Sequence, residues 1–309
     1  MKIGLIDVDG GHRFPNLALM KISAWHKGKG NSVEWYDPMF SGHCDKVYLS
    51  KVFSFTPDYD FPIDADEIEK GGTGYCISLV DGKEVFDKSK NINLPYEIEH
   101  IYPDYSIYPD LTKETAYGFL SRGCPRGCDF CIVEKKEGRC SVKVADLSEF
   151  WRGQKNIVLC DPNILACKDW KDLLQQCIDS GATIDFNQGL DIRLMTEEKA
   201  KMLAKVKVKE IHFAWDRYED KDLIIPKLKL FAEVCRKPNH STVVYTIVNF
   251  DTTIEQDLDR IYTLRDMGYW PYIMIYDKEH CKKIYKQLQR WVNNRFIFAT
   301  CKHFEDYKQ

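Results

Sequence analysis

From Tyr117 to Asp277 six short apolar runs recur, each followed by a segment with polar and helical character, and this alternation constrains the fold more than any other feature. The runs are YGFLSRG, NIVLCD (Asn156–Asp161), ATIDFNQ (Ala182–Gln188), EIHFAWD (Glu210–Asp216), TVVYTIVNF (Thr242–Phe250) and PYIMIYD (Pro271–Asp277). Strands that alternate with helices build parallel sheets, with the helices covering the sheet faces. The intervening segments carry helix signals. Trp170, Leu173, Leu174, Cys177 and Ile178 recur at helical spacing, and Gly181 stops that helix. Thr253 with Gln256 three positions later reads as a capping box, and Gly268 ends the helix that carries Ile254, Leu258 and Ile261.

The N-terminal region alternates as well. Lys2–Asp7 (KIGLID) reads as a strand, 16–27 as a helix ended by Gly28 or Gly30, and 32–36 as a second strand. Two strands around a helix make a βαβ unit with a right-handed crossover. KVYLSKVF and YCISLV offer further strands beside the turn-like Gly71–Gly74. From 81 to 112 the chain is irregular, with Pro95, Pro103 and Pro109, and reads as a linker. The chain is therefore expected to be α/β, with a small doubly wound domain before a second α/β domain.

Bulk properties point to a cytoplasmic enzyme. The 309 residues carry a net charge of −3, which gives no global pull toward nucleic acid or an acidic membrane. No secretory apolar region and no apolar run of spanning length is visible, so no membrane association is expected. Two basic stretches stand out, KKEGR (Lys135, Lys136, Arg139) and KAKMLAKVKVK (199–209). The first suits a phosphate or carboxylate, and the second reads as the solvated face of a helix. Nucleic acid is not indicated. Of the 12 cysteines, Cys76, Cys160, Cys177 and Cys235 sit among apolar residues and read as buried small hydrophobes.

Cys124, Cys128 and Cys131 are different. They stand in SRGCPRGCDFCIVEKKEGR at C-x3-C-x2-C spacing. Three thiolates on one tight loop can hold three corners of a [4Fe–4S] cluster and leave the fourth iron open, whereas electron-transfer clusters take four cysteines. Zinc sites show paired cysteine knuckles or nearby histidines, and here the nearest cysteine downstream, Cys140, breaks any pairing. Inert loop thiols are the third reading.

This spacing, with the aromatic Phe130 just before the last cysteine, resembles the signature of the radical S-adenosylmethionine (radical SAM) superfamily. The resemblance implies a partial (β/α)6 barrel over about 113–285, a C-terminal tail over 286–309, and SAM chelated on the open iron of a cluster held by Cys124, Cys128 and Cys131. It also implies reduction of that cluster by a low-potential donor of flavodoxin or ferredoxin type. SAM would be cleaved to a 5′-deoxyadenosyl radical that takes hydrogen from a substrate the sequence does not name. Sites would collect at the C-terminal strand ends. There, Asp161 and Asn163 occupy the place of the family's acidic contact to the SAM amino group, although Asp-Pro-Asn is equally a common turn. Gln188, Asp191 and Arg193 follow the third strand; Arg193 suits the SAM carboxylate, or Asp191 fixes Arg193 structurally. Trp215 is placed to pack on adenine or to fill the core, and Phe250 to flank the adenine.

Residues 1–112 resemble a shortened cobalamin-binding-type domain, through FPNLALMKISAWHKGKGNSVEWYD and KGGTGY. The Asp-x-His-x-x-Gly motif that supplies a histidine to cobalt is absent. His12 stands near that position in DVDGGHRFPN, and cobalamin is not expected to bind. The alternatives are a cobalamin-dependent radical SAM methyltransferase and a non-enzymatic iron–sulfur or zinc binding module.

Overall fold

A computed structural model of the chain describes residues 1–10, 13–80 and 83–307. His12 lies outside the described residues, as do 81 and 82. The chain is α/β with parallel sheets and divides into two compact units, Met1–Val158 and Leu159–Gln309.

In the first unit β1 (Lys2–Asp7), α1 (Leu17–Gly28), β2 (Ser32–Trp35), β3 (Cys44–Ser50) and β4 (Ala65–Gly71) build a parallel sheet in the order β2-β1-β3-β4. Side chains alternate across a strand, so β1 divides its apolar residues between two cores. Ile3 and Leu5 pack with Leu19 and Ile22 of α1, while Ile6 packs with Val47 and Leu49 on the opposite face. Asn16 caps α1 by accepting a hydrogen bond from the Leu19 N–H at 3.2 Å. β4, absent from the sequence expectation, is an exposed edge whose ADEIEKG sets two pairs of charges between Ala65, Ile68 and Gly71. Charge on an edge strand discourages pairing with other chains, and it also hides the strand from a search for apolar runs.

YCISLV contributes β5 (Ile77–Val80), which pairs antiparallel with β6 (Lys83–Phe86) outside the main sheet. The segment read as a linker carries α2 (Tyr96–Glu99) and α3 (Pro109–Thr112) and packs on α1. Ile98 enters the α1 core, and Asp104 accepts hydrogen bonds from Ser23 Oγ and Lys27 Nζ, each at 2.6 Å. β7 (Thr115–Gly118), β8 (Ser121–Arg122), α4 (Val133–Glu137), β9 (Val142–Lys143) and β10 (Asn156–Leu159) follow, with β10 beside β7.

The second unit continues with α5 (Trp170–Ser180), β11 (Thr183–Phe186), α6 (Glu197–Leu203), β12 (Ile211–Ala214), α7 (Lys221–Val234), β13 (Thr242–Val248), α8 (Ile254–Asp266), β14 (Trp270–Ile275), α9 (Lys283–Asn293) and α10 (Arg295–Thr300). β12, β13 and β14 lie side by side and parallel. Gly181 ends α5 in the left-handed conformation, φ 63°, and Thr253 and Gln256 form the reciprocal cap of α8. Val248 and Ile273 pack under Ile261, Leu288, Trp291 and Phe298, which cover one face of the sheet with helix. Among the described residues no helix is long and apolar enough to cross a membrane.

Candidate functional site

The cysteine loop belongs to the first unit and is closed at its base by a short antiparallel pair, Ser121 opposite Lys143 and Arg122 opposite Val142. Two glycines shape it. At Gly123, φ 89°, a Cβ would stand 2.1 Å from the Cys140 carbonyl oxygen, so only glycine lets the two sides of the base approach. At Gly127, φ 58°, a Cβ would meet the Glu134 carboxylate at 2.2 Å. The Cys124 N–H donates to Gly138 O at 3.1 Å and the Cys131 N–H to Cys128 O at 2.9 Å, so two of the three cysteines are fixed by their own backbone. α4 starts directly after the triplet, and its Glu137 accepts from Arg122 Nη1 at 3.1 Å and from the Gly123 N–H at 3.3 Å. That tie holds the end of α4 to the loop's start. Cys124, Cys128, Cys131 and Phe130 are all part-exposed, whereas Cys76, Cys160 and Cys177 are buried; Cys235, also expected to be buried, is part-exposed.

Among the described residues no three His, Cys, Asp or Glu side chains are arranged to hold a metal ion. A single zinc at about 2.3 Å from each sulfur needs its thiolates to converge on one point. The thiolates of a cubane cluster instead bind separate corners and stand apart. The donor set here is three part-exposed thiols in a loop pinned at its base.

The second unit gathers the polar residues expected at strand ends. Asp161 and Asn163 follow β10 and are each 3 % exposed. Asn163 Nδ2 donates to Asp191 Oδ2 at 3.3 Å. Asp191 caps the turn after β11 and holds Arg193 Nε at 2.8 Å, while Asp220 receives Arg193 Nη1 at 3.1 Å. Burial opposes the Arg193 charge, but these two carboxylates outweigh it and hold the guanidinium firmly protonated. Asp191 therefore fixes Arg193, the structural alternative. With a further bond from Nη2 to Asp191 at 3.4 Å, three of the five guanidinium N–H donors are engaged among the described residues. Gln188 is exposed in the turn before Gly189. Trp215 is wholly buried and its indole N–H donates to Arg217 O at 2.9 Å, so its ring belongs to the core. Phe250 is part-exposed and meets Tyr276 edge-on, the ring centroids 4.8 Å apart.

Sequence reasoning missed the residue that ties these strand ends together. Arg260 on α8 is wholly buried and donates to Trp215 O at 2.7 Å, Asp216 O at 2.6 Å, Ile247 O at 2.8 Å and Asp257 Oδ1 at 2.5 Å. It joins the ends of β12 and β13 to the helix. The signal was faint: an Asp and an Arg three residues apart on the face that also carries Ile261 and Leu264. Beside it the Asp216 carboxyl, bonded to the Ile247 N–H, is pushed above its usual range chiefly by burial. The sequence also gave no notice of a row facing away from the helices. His212 stacks on Tyr245 with centroids 5.2 Å apart, Tyr272 follows edge-on at 5.6 Å, and burial raises the nearby Asp185 carboxyl.

Compared with protein-family models and with curated proteins, the chain finds no match.

Proposed function

We propose that the chain is a radical SAM enzyme, with residues 113–285 as a partial (β/α)6 barrel. The observation that carries this reading is the cysteine loop: three part-exposed thiols at C-x3-C-x2-C spacing, on a turn closed by Gly123 and pinned through Cys124 and Cys131. Cys124, Cys128 and Cys131 would hold a [4Fe–4S] cluster. Such a cluster, when bound and reduced, supplies the electron that cleaves SAM to 5′-deoxyadenosine through a radical that abstracts hydrogen.

The chain's own residues do the rest. Phe130, next to Cys131 in the chain, would line the site that holds the cluster. Asp161 offers a buried carboxylate to the SAM ammonium, a charge-assisted hydrogen bond, with Asn163 beside it. Arg193, held rigid by Asp191 and Asp220, offers its remaining donors to the SAM carboxylate. Gln188 supplies an amide at the same strand end, Phe250 an aromatic surface, and Trp215 the packed floor beneath. Electrons come from a low-potential flavodoxin- or ferredoxin-type donor, and the compartment is cytoplasmic. Cobalamin has no part in this reading.

The test is anaerobic. The chain is reconstituted with iron and sulfide, reduced and given SAM, and 5′-deoxyadenosine is sought by mass spectrometry. Its formation by the wild type and its loss in Cys128→Ala are expected. Equal formation by both would refute the assignment of that cysteine.

A further inference from the structure

A cavity of about 660 Å³ lies in the first unit, walled by α1, the ends of β3 and β4, the 91–94 segment and the base of the cysteine loop. Much of its wall is apolar, with Leu94, Ile101 and Phe119 among the contributors. A ladder of charges crosses it. Lys21 Nζ meets Glu99 Oε1 at 2.9 Å, and Glu99 Oε1 meets Arg122 Nη2 at 3.4 Å. Arg122 Nη1 meets Glu137 Oε1 at 3.1 Å, and Glu137 Oε1 meets Lys136 Nζ at 3.7 Å. Three cations thus share two carboxylates. The other charged wall residues have partners of their own: Lys143 pairs with Asp146, Glu69 with Lys46, and Glu149 with His100 at the Lys21 end.

The two ends of the ladder differ. Lys21 also donates to the backbone carbonyl of Glu99, so its ammonium is well bonded. Lys136, with a side chain 27 % exposed, has Glu137 at 3.7 Å as its ion-pair contact among the described residues, beyond hydrogen-bond length. Burial accordingly lowers its affinity for the proton. An ammonium carries three donors, and Glu137 at 3.7 Å compensates the partly buried Lys136 weakly, which favours a further anion beside it. Arg122 beside it lies over the Phe119 ring, 3.8 Å from the centroid, which sets the plane of its guanidinium.

We propose that this cavity binds a ligand with one carboxylate and an apolar body. The carboxylate is received by Lys136 and Arg122, and the body packs against Leu94, Ile101 and Phe119. A carboxylate completes the hydrogen bonding of Lys136, and the apolar wall accepts the hydrocarbon. The claim rests on the cavity wall alone and stands or falls separately from the radical chemistry. On that chemistry the ligand's natural role is substrate, because Arg122 and Lys136 flank the cysteine triplet in the chain.

The test is calorimetric titration of the full chain with three eight-carbon probes: octanoate, octan-1-ol and octylammonium. Octanoate is expected to bind saturably, one per chain, at least tenfold tighter than either of the others. Lys136→Met should weaken octanoate at least tenfold and leave octan-1-ol within twofold, while Lys136→Arg should retain octanoate binding. No saturable octanoate binding, or octylammonium binding as tightly as octanoate, overturns the proposal in the wild type alone. So does a folded Lys136→Met with unchanged octanoate affinity. Because this series needs neither cluster nor SAM, its failure is distinguishable from failure to form 5′-deoxyadenosine.

Discussion

The cysteine loop of the first unit and the strand-end network of the second are both polar constructions, held in opposite ways. The loop is shaped by glycine geometry and backbone hydrogen bonds, and its three triplet thiols remain part-exposed. The network is shaped by a wholly buried arginine that serves three carbonyls and a carboxylate. The loop leaves its thiols within reach of solvent. The network removes its charge from water, and every partner must then stay in place.

The largest effect should come from breaking the network. Arg260→Met leaves Asp257 buried without its cation and three carbonyls without their donor, and should cost about 3–5 kcal/mol. Chemical denaturation measures this, and a loss below about 1 kcal/mol would make the network ornamental. Next is Gly123→Ala, which forces a left-handed backbone onto alanine and drives a Cβ into the Cys140 carbonyl. A cost of about 1–3 kcal/mol follows, together with reduced iron uptake on reconstitution. Gly127→Ala should be milder, because its Cβ meets the movable end of Glu134 rather than backbone. Equal iron loss in the two variants would contradict the account of how the loop is held.

Thr253→Ala removes the α8 cap, which brings Arg260 to the strand ends, and should cost about 1 kcal/mol in the same denaturation assay. The last prediction concerns a sign. Burial raises the folded-state pKa of Asp216, so as pH rises past the ordinary carboxylate value of 3.8 the unfolded chain ionises first. Stability then falls with rising pH until the raised folded value is passed. Asp216→Asn should make that fall shallower. An unchanged slope would mean that other buried carboxyls, such as Asp257 and Asp185, account for it.

The same contrast explains what the sequence revealed. The thiol spacing is a local pattern, and so are the cap at Thr253 and the stop at Gly181; each is set by residues within a turn or two of one another. Arg260 was invisible because a helix charge normally faces water, and its burial depends on carbonyls 13 to 45 residues away. β4 was invisible because its edge position makes it charged, and the 81–112 segment because its anchors, Ile98 with Leu94 and Ile107, are scattered without period among prolines and polar residues. Trp215 illustrates the middle case: the sequence placed it at a strand end, and only the fold showed its ring in the core.

Cys124, Cys128 and Cys131 are proposed to hold a [4Fe–4S] cluster with one iron open to SAM. Electron paramagnetic resonance of the anaerobically reconstituted, reduced chain, before and after SAM is added, tests this most directly. The account predicts a reduced [4Fe–4S] signal that changes when SAM is added and is lost in Cys124→Ala. A four-iron signal indifferent to SAM, or one that survives Cys124→Ala unchanged, would contradict it.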